Sequence, residues 1–303
     1  MKVNGQRARE QPAEVGVGPP YPNSHAGRHG HQQGPVLALA AKSRHLQVYK
    51  VRSMIACMPT PEARFERELK NFGSEVEQGT RCYFALLVMN DVASHDKRVR
   101  AFLNRTPMFW NTCAGALQAS TFIALGRIFD LTSRHNLESL LRMAERDPQI
   151  FSKAALKRRK QAVETKGPEC LDDYLQSTYE PTPKDLSRLR VKTESWRQVY
   201  DKKYRPLRSK YFAHRVVLGE AETAALFGKG TNPELQRLFR FLGSLYHALL
   251  SLFFDGRKPV LRPARYSVVR MREKPVLAYY SGVGIQEHIT REVAEFLKNA
   301  ARE

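Results

Sequence analysis

Three stretches of this chain open on the same local signal, a small polar residue followed by proline, and each then runs into a long apolar stripe with helical spacing. Thr60-Pro61-Glu62 supplies a side-chain cap, a proline suited to the first helical position, and an acid in the first turn. Phe65, Leu69, Phe72, Val76, Tyr83 and Leu87 follow in steps that share one helix face. Thr182-Pro183 starts another helix, with Leu186, Leu189, Trp196, Tyr200, Tyr204, Leu207 and Tyr211 as its stripe. Pro206 should bend that helix, because proline lacks a donor and crowds the preceding turn; its end is expected near His214. Asn232-Pro233-Glu234 opens a third, with Leu235, Leu238, Leu242, Leu245, Leu249 and Leu252 on one side and Asp255-Gly256 as its stop. A further helix is expected from about Pro107 to Asp130, with Phe109, Cys113, Ala116, Ser120, Ile123 and Ile128 on or near one side. Long amphipathic helices hide such stripes by packing on one another. The expected fold is therefore all-α, an up-down four-helix bundle with additional short helices.

The segments between these helices are less regular. Residues 136–165 read as one or two shorter helices broken at Pro148, and Lys157-Arg158-Arg159-Lys160 reads as a solvated face. Gly167-Pro168 and Pro181-Thr182-Pro183 mark a loop region. Residues 1–55 are rich in glycine and proline and carry His25, His29 and His31; such a segment buries too little apolar surface to offset its ordering entropy, so disorder is expected. Periodic sequence starts near Met54, and the native start is expected at Met54 or Met58. The domain division expected is thus 1–55 disordered, 56–256 helical bundle, and 257–303 a basic extension. Within that extension, Arg262 to Val276 has partial alternation that suits a short hairpin, and Ile285 to Ala301 reads as a final helix.

Lys and Arg number 50 against 30 Asp and Glu, a net charge of +20, which favours polyanionic partners and nucleic acid above all. No apolar run is long enough to span a membrane and no secretory leader is apparent, so a cytoplasmic location without membrane contact is expected. Cys57, Cys82, Cys113 and Cys170 are widely spaced, which argues against a zinc ribbon or a disulfide framework. Gly228-Lys229-Gly230-Thr231 lacks the pattern of a phosphate loop and reads as a turn. Gly282-Val283-Gly284 is only half a dinucleotide fingerprint, and the common hydrolase and kinase motifs are missing.

The helix that begins at Thr182-Pro183 concentrates the charge. From Lys184 to Arg215 eleven basic residues face three acids, a difference of +8. Tyr200, Tyr204, Tyr211 and Phe212 interleave with them and could stack on bases, although the tyrosines also fit the buried stripe. Arg208-Ser209-Lys210-Tyr211-Phe212-Ala213-His214 stands at its end. An arginine followed six residues later by a histidine resembles the R-x(4–6)-H signature of HEPN domains. Together with NTCAGALQASTFIALGRIFD upstream, residues 60–255 resemble the AbiU-like, abortive-infection branch of that superfamily.

That resemblance implies a homodimer that joins two Arg/His pairs in one cleft, and an endoribonuclease that needs neither metal nor cofactor. His214 would move protons at the 2′-hydroxyl and the leaving oxygen, since an imidazole of pKa near ~6.5 suits neutral pH. Arg208 would grip the scissile phosphate in its planar fork. Arg205, Ser209, Lys210, Tyr211 and Arg215 would contact RNA. An antitoxin partner and a role in phage defence or a toxin system follow from the same resemblance. Two positions depart from the superfamily's usual residues: Ser209, where Asn, Asp or His is common, and Val216, where a tyrosine marks the branch paired with nucleotidyltransferases. The same residues allow a rival class, a bundle that binds RNA or protein without cutting. In that reading His214 is packed and Arg208 pairs with Asp201 or Glu194. Arg127 and Asp130, three apart, could pair with each other.

Overall fold

The first helix is the element on which the others are laid. In the computed structural model, which describes residues 59–163, 169–213, 219–263, 267–273 and 284–302, α1 runs Pro61–His95. Thr60 caps it, its hydroxyl accepting from Ala63 N–H at 3.2 Å. At 1.5 Å per residue, its 35 residues span about 52 Å. The predicted stripe is buried at Phe65, Leu69, Phe72, Val76 and Tyr83, with Leu87 packed at its margin. Further along, Val88, Met89 and Val92 belong to a second apolar cluster. One helix therefore serves two cores.

α2 (Lys97–Arg105) begins at Asp96, whose carboxylate accepts from Arg98 and Val99 N–H. α3 (Pro107–Phe129) then packs along α1. Its predicted face is corrected in part. Ile128 is buried as expected, but Phe109 is 59% exposed, and Ala116 also faces solvent. The buried positions are Ala114, Thr121, Phe122, Ala124, Leu125, Gly126, Ile128 and Phe129. Apolar and small residues occur all round this helix, so periodicity does not select the buried side.

α4 (Leu137–Arg146), a 3-10 turn (Pro148–Phe151) and α5 (Lys153–Val163) fill the region expected to hold short helices. The basic run in α5 is not simply a solvated face. Arg159 lies 4.0 Å over the Phe253 ring and donates to the carbonyls of Ile150 and Phe253. Arg158 pairs with Glu62, Lys157 with Asp172 and Lys160 with Asp255. These side chains tie α5 to the start of α1 and to residues 253–255. α6 (Glu169–Ser177) occupies part of the expected loop.

α7 (Pro183–Val199) opens with a reciprocal cap. Asp185 N–H donates to the Thr182 hydroxyl, and the Asp185 carboxylate accepts from Thr182 N–H. Beyond Val199 the expected continuous helix changes register: Tyr200–Tyr204 is a π-turn, Arg205–Leu207 a short α segment and Arg208–Ala213 a second π-turn. α8 (Glu220–Phe227) leads through the glycine turn to α9 (Asn232–Asp255), capped by Thr231. All six leucines of its predicted stripe are buried. Gly256 ends it at φ 57°, and a Cβ there would lie 2.7 Å from Thr178 Cβ.

Residues 268–273, part of the expected hairpin, form instead α10 (Val268–Glu273), and no strand occurs among the described residues. A few alternating positions fit either structure. α11 (Ile285–Ala300) matches the expected final helix and sets Ala294 and Leu297 against Val88, Val92 and Val99. These helices belong to one compact unit, Thr60–Glu303. No helix among the described residues is long and apolar enough to cross a membrane. Residues 1–55, for which disorder was expected, lie outside the described residues, as do Met54 and Met58.

Two outcomes follow. Gly256→Ala should lose about 1–2 kcal/mol from the left-handed backbone alone, and more from the contact with Thr178 and Leu156, measured by urea unfolding. Hydrogen bonds from Thr182, then from Tyr179, hold the Asp185 carboxyl down at about 2. A depressed carboxylate stabilises the fold above its ordinary pKa of ~3.9 and loses that contribution as pH falls through the folded value. Thermal melts should therefore fall between about pH 4 and pH 2 in the wild type, and less steeply in Asp185→Asn.

Candidate functional site

Pro206 explains the local geometry at the end of the basic helix. It has no N–H to give the carbonyl four residues back, so the regular ladder cannot pass through it. The backbone widens instead, and Arg205 N–H donates to the carbonyl of Tyr200, five residues earlier. Such single π-turns are found at functional sites more often than elsewhere. Here the widened turns keep three apolar positions in the core, with Tyr200, Tyr204 and Leu207 all buried. Phe129 stacks on Tyr200 at 5.2 Å, and Phe122 stacks on Phe212 at 5.2 Å.

The polar edge of this packing meets at one carboxylate. Asp130, the cap residue of α3, is only 7% exposed. Tyr200 donates its hydroxyl to Oδ1 at 3.1 Å, and the Arg208 guanidinium approaches Oδ2 at 3.0 Å. Arg205 Nε stands 3.9 Å from Oδ1 while its NH1 reaches Asp201 at 3.5 Å. Burial, with Asp130 beside it, pushes the Tyr200 phenol well above its ordinary range, so it remains a donor. A parallel arrangement lies one turn along. Lys203 Nζ and the Tyr204 hydroxyl both reach Glu234, at 2.6 and 3.1 Å.

Gly126 makes the approach of Arg208 to Asp130 sterically possible. A Cβ at that position would fall 2.8 Å from Arg208 Nε. The guanidinium stem therefore lies directly against the α3 backbone, and Nε is buried without a hydrogen-bond partner among the described residues. Arg208 is nonetheless 29% exposed along its side chain. One edge of the fork is fixed by Asp130, and the group retains access to solvent. Gly126 was not singled out from sequence; its spacing of four from Asp130, on one helix face, is the signal that could have found it.

The remaining sequence candidates divide clearly. Arg205 and Lys210 are exposed beside Arg208, and Ser209 is half-buried. Tyr211 packs edge-on against Phe212 and Phe227 at 4.9 and 5.1 Å, which commits much of its ring to packing. His214 and Arg215 lie outside the described residues. The suggested Arg127–Asp130 pair is corrected: Arg127 pairs with Glu75 at 3.1 Å, and Asp130 turns to Arg208. The partners first considered for Arg208, Glu194 and Asp201, are both taken by Arg197.

A comparison with protein families finds that the model described as AbiU2, of the HEPN class, matches residues 62–269. No curated protein and no solved structure matches the chain.

The carboxylate at 130 should be the energetic centre of this edge. Asp130→Ala would strand the buried Tyr200 hydroxyl and leave the Arg208 charge without its counterion. A loss of about 1–3 kcal/mol is expected from the hydroxyl alone, with more from the guanidinium. Tyr200→Phe, which leaves the ion pair in place, should cost less. Urea unfolding of both variants checks the order.

Proposed function

Because the chain belongs to the AbiU2 family of HEPN domains, we propose that it is an endoribonuclease of abortive infection, acting as a homodimer in phage defence or a toxin system. The observation that carries this reading is the setting of Arg208. A buried carboxylate holds one edge of its guanidinium while part of the side chain stays exposed, with Arg205 approaching the same carboxylate and Lys210 exposed two positions further along the chain. A fixed cationic fork of this kind costs little to organise when a phosphodiester arrives.

The chemistry needs no external nucleophile. The ribose 2′-oxygen attacks the adjacent phosphorus, and the bond to the 5′-oxygen breaks. The products are a 2′,3′-cyclic phosphate and a 5′-hydroxyl. His214 takes the 2′ proton and returns one to the departing 5′-oxygen, a task that suits an imidazole at neutral pH. Arg208 donates to the non-bridging oxygens, where negative charge grows. Arg205, Ser209, Lys210 and Arg215 contact the strand on either side, and the exposed part of Tyr211 meets a base. RNA is selected over DNA because DNA lacks the attacking hydroxyl.

One observation favours a second reading, a bundle that binds RNA or a protein partner without cleavage. Arg208 NH1 is already engaged by Asp130 at 3.0 Å, as a structural arginine would be. The two readings separate in one assay. Purified protein incubated with total RNA in EDTA should cleave it, and Arg208→Ala and His214→Ala should each lower the rate on the order of 10²–10⁴-fold. Circular dichroism should show both variants folded. Binding without cleavage in the wild type, or cleavage that survives both substitutions, overturns the nuclease assignment.

A further inference from the structure

The corner between α2 and α3 brings cations and exposed apolar side chains together in one short stretch. From Lys97 to Gly126 the chain holds four cations, Lys97, Arg98, Arg100 and Arg105, and no acid, although Asp and Glu number 30 overall. Asp96, the acid that precedes them, is taken up as the cap of α2. Arg100 donates to the carbonyls of Ala93 and Ser94. Lys97, Arg98 and Arg105 are exposed and have no ion-pair partner among the described residues. Arg98, Ala101 and Arg105 follow one another in steps of three and four and are all exposed, so the two arginines share the outer face of α2.

The apolar part projects from the same corner. Met108 is 81% exposed and Phe109 59%, both in the first turn of α3. Single exposed apolar residues are ordinary on a protein surface. These two are consecutive and continue into a row of rings. Phe109 meets Trp110 edge-on at 5.2 Å, and Trp110 lies 5.8 Å from Phe102. Phe102, Leu103 and Trp110 are half-buried against the second apolar cluster. That cluster anchors the row from behind and leaves its tip outside. The corner is remote from Arg208, because Met108 and Asp130 stand at opposite ends of α3, a helix of 23 residues and about 34 Å.

We infer that this corner docks on a bilayer that carries anionic lipid, with Lys97, Arg98 and Arg105 at the headgroups and Met108 and Phe109 in the acyl boundary. A short helix with cations on its outer face and apolar bulk beside it suits that boundary. Tryptophan is enriched at the same level, where Trp110 would lie. Each free cation near the surface adds to the attraction, and an acid-free stretch brings nothing that the surface repels. The expectation of no membrane contact rests on the lack of a spanning run, and a corner that lies on a surface need not cross it. An RNA strand would use the cations but not the tip. Met108 has no ring to stack on a base, and Trp110 already meets Phe102 and Phe109. The inference uses no residue assigned to cleavage and holds whether or not the chain cuts RNA.

Vesicle co-sedimentation of the full chain tests it, with phosphatidylcholine vesicles alone or mixed roughly two to one with phosphatidylserine. The mixed vesicles should bind about tenfold or more tightly than the neutral ones. Met108→Ser/Phe109→Ser and Lys97→Gln/Arg98→Gln/Arg105→Gln should each weaken that binding about tenfold or more. Lys184→Gln/Arg188→Gln/Lys192→Gln removes the same charge from exposed positions of α7 and should bind as the wild type does, which separates this corner from the net charge of +20. Bromine-labelled acyl chains should quench tryptophan fluorescence in the wild type and not in Met108→Ser/Phe109→Ser. Circular dichroism should show the variants folded, and the two corner variants act on different side chains, so either one alone decides. Failure to bind the mixed vesicles, an equal loss in the α7 variant, or binding without quenching overturns the inference. So does vesicle binding that Met108→Ser/Phe109→Ser leaves intact: a shift from dimer to monomer in sedimentation velocity would then make the tip a contact between copies, and a loss of oligouridylate binding would give the corner to an RNA strand. RNA cleavage bears on Arg208 and His214 alone, so the two readings can fail separately.

Discussion

A single buried carboxylate joins the core of this bundle to its basic edge. Asp130 sits where α3 ends, 7% exposed, and takes one hydroxyl and one guanidinium from the π-turned segment. A lone carboxylate at that depth is costly unless it is paired and hydrogen-bonded. Here the partners come from residues 200 and 208, eight positions apart along a segment that is not regular helix. The local backbone and the charge pairing are therefore coupled. Residues 200–208 must widen and turn together for Tyr200 to remain stacked on Phe129 while Arg208 reaches the same carboxylate.

Proline supplies the break, but the glycines decide where the widened segment rests. Gly126 lets Arg208 lie on α3, and Gly230 lets Tyr204 lie on the turn before α9, since a Cβ there would fall 2.4 Å from its ring. Each missing methyl group brings a long side chain into backbone contact. Burial of a tyrosine ring is worth roughly 1.5–3 kcal/mol, enough to offset an irregular turn. The phenols keep a polar partner in the core, Asp130 for Tyr200 and Glu234 for Tyr204. That pairing makes their burial affordable and gives this edge a defined geometry.

Much of this was legible in the amino-acid order, and the failures have physical causes. Thr60, Thr182 and the Asn232 region announced their helices because capping and proline placement are local effects. The leucines of α9 announced their buried face because polar residues occupy the other side. In α3 both sides carry small or apolar residues, so Phe109 and Ala116 were expected inward and face outward. The region of α6 read as loop because proline marks helix starts and loops alike. Arg208 was singled out by its spacing to His214. Its partner Asp130 was noted without its true role, because the pairing spans 78 positions of chain and depends on tertiary approach.

Charge counting alone would have misplaced the site. The helix from Lys184 carries many cations, yet several are used inside the fold. Arg190 reaches Glu138 and Glu145, Arg197 takes Glu194 and Asp201, and Lys203 takes Glu234. Others, such as Lys184, Arg188, Lys192 and Lys202, are exposed on α7 or just beyond it. An exposed lysine on a mobile stem adds potential but no fixed geometry. Arg208 differs from both groups. It has a buried counterion that sets its orientation and enough exposure to meet a second anion. A second anion would share the guanidinium with Asp130, and the fork has donors for both. On the proposed reading, the carboxylate would tune how strongly the arginine holds a phosphate, the quantity that distinguishes a site that turns over from one that only retains its ligand.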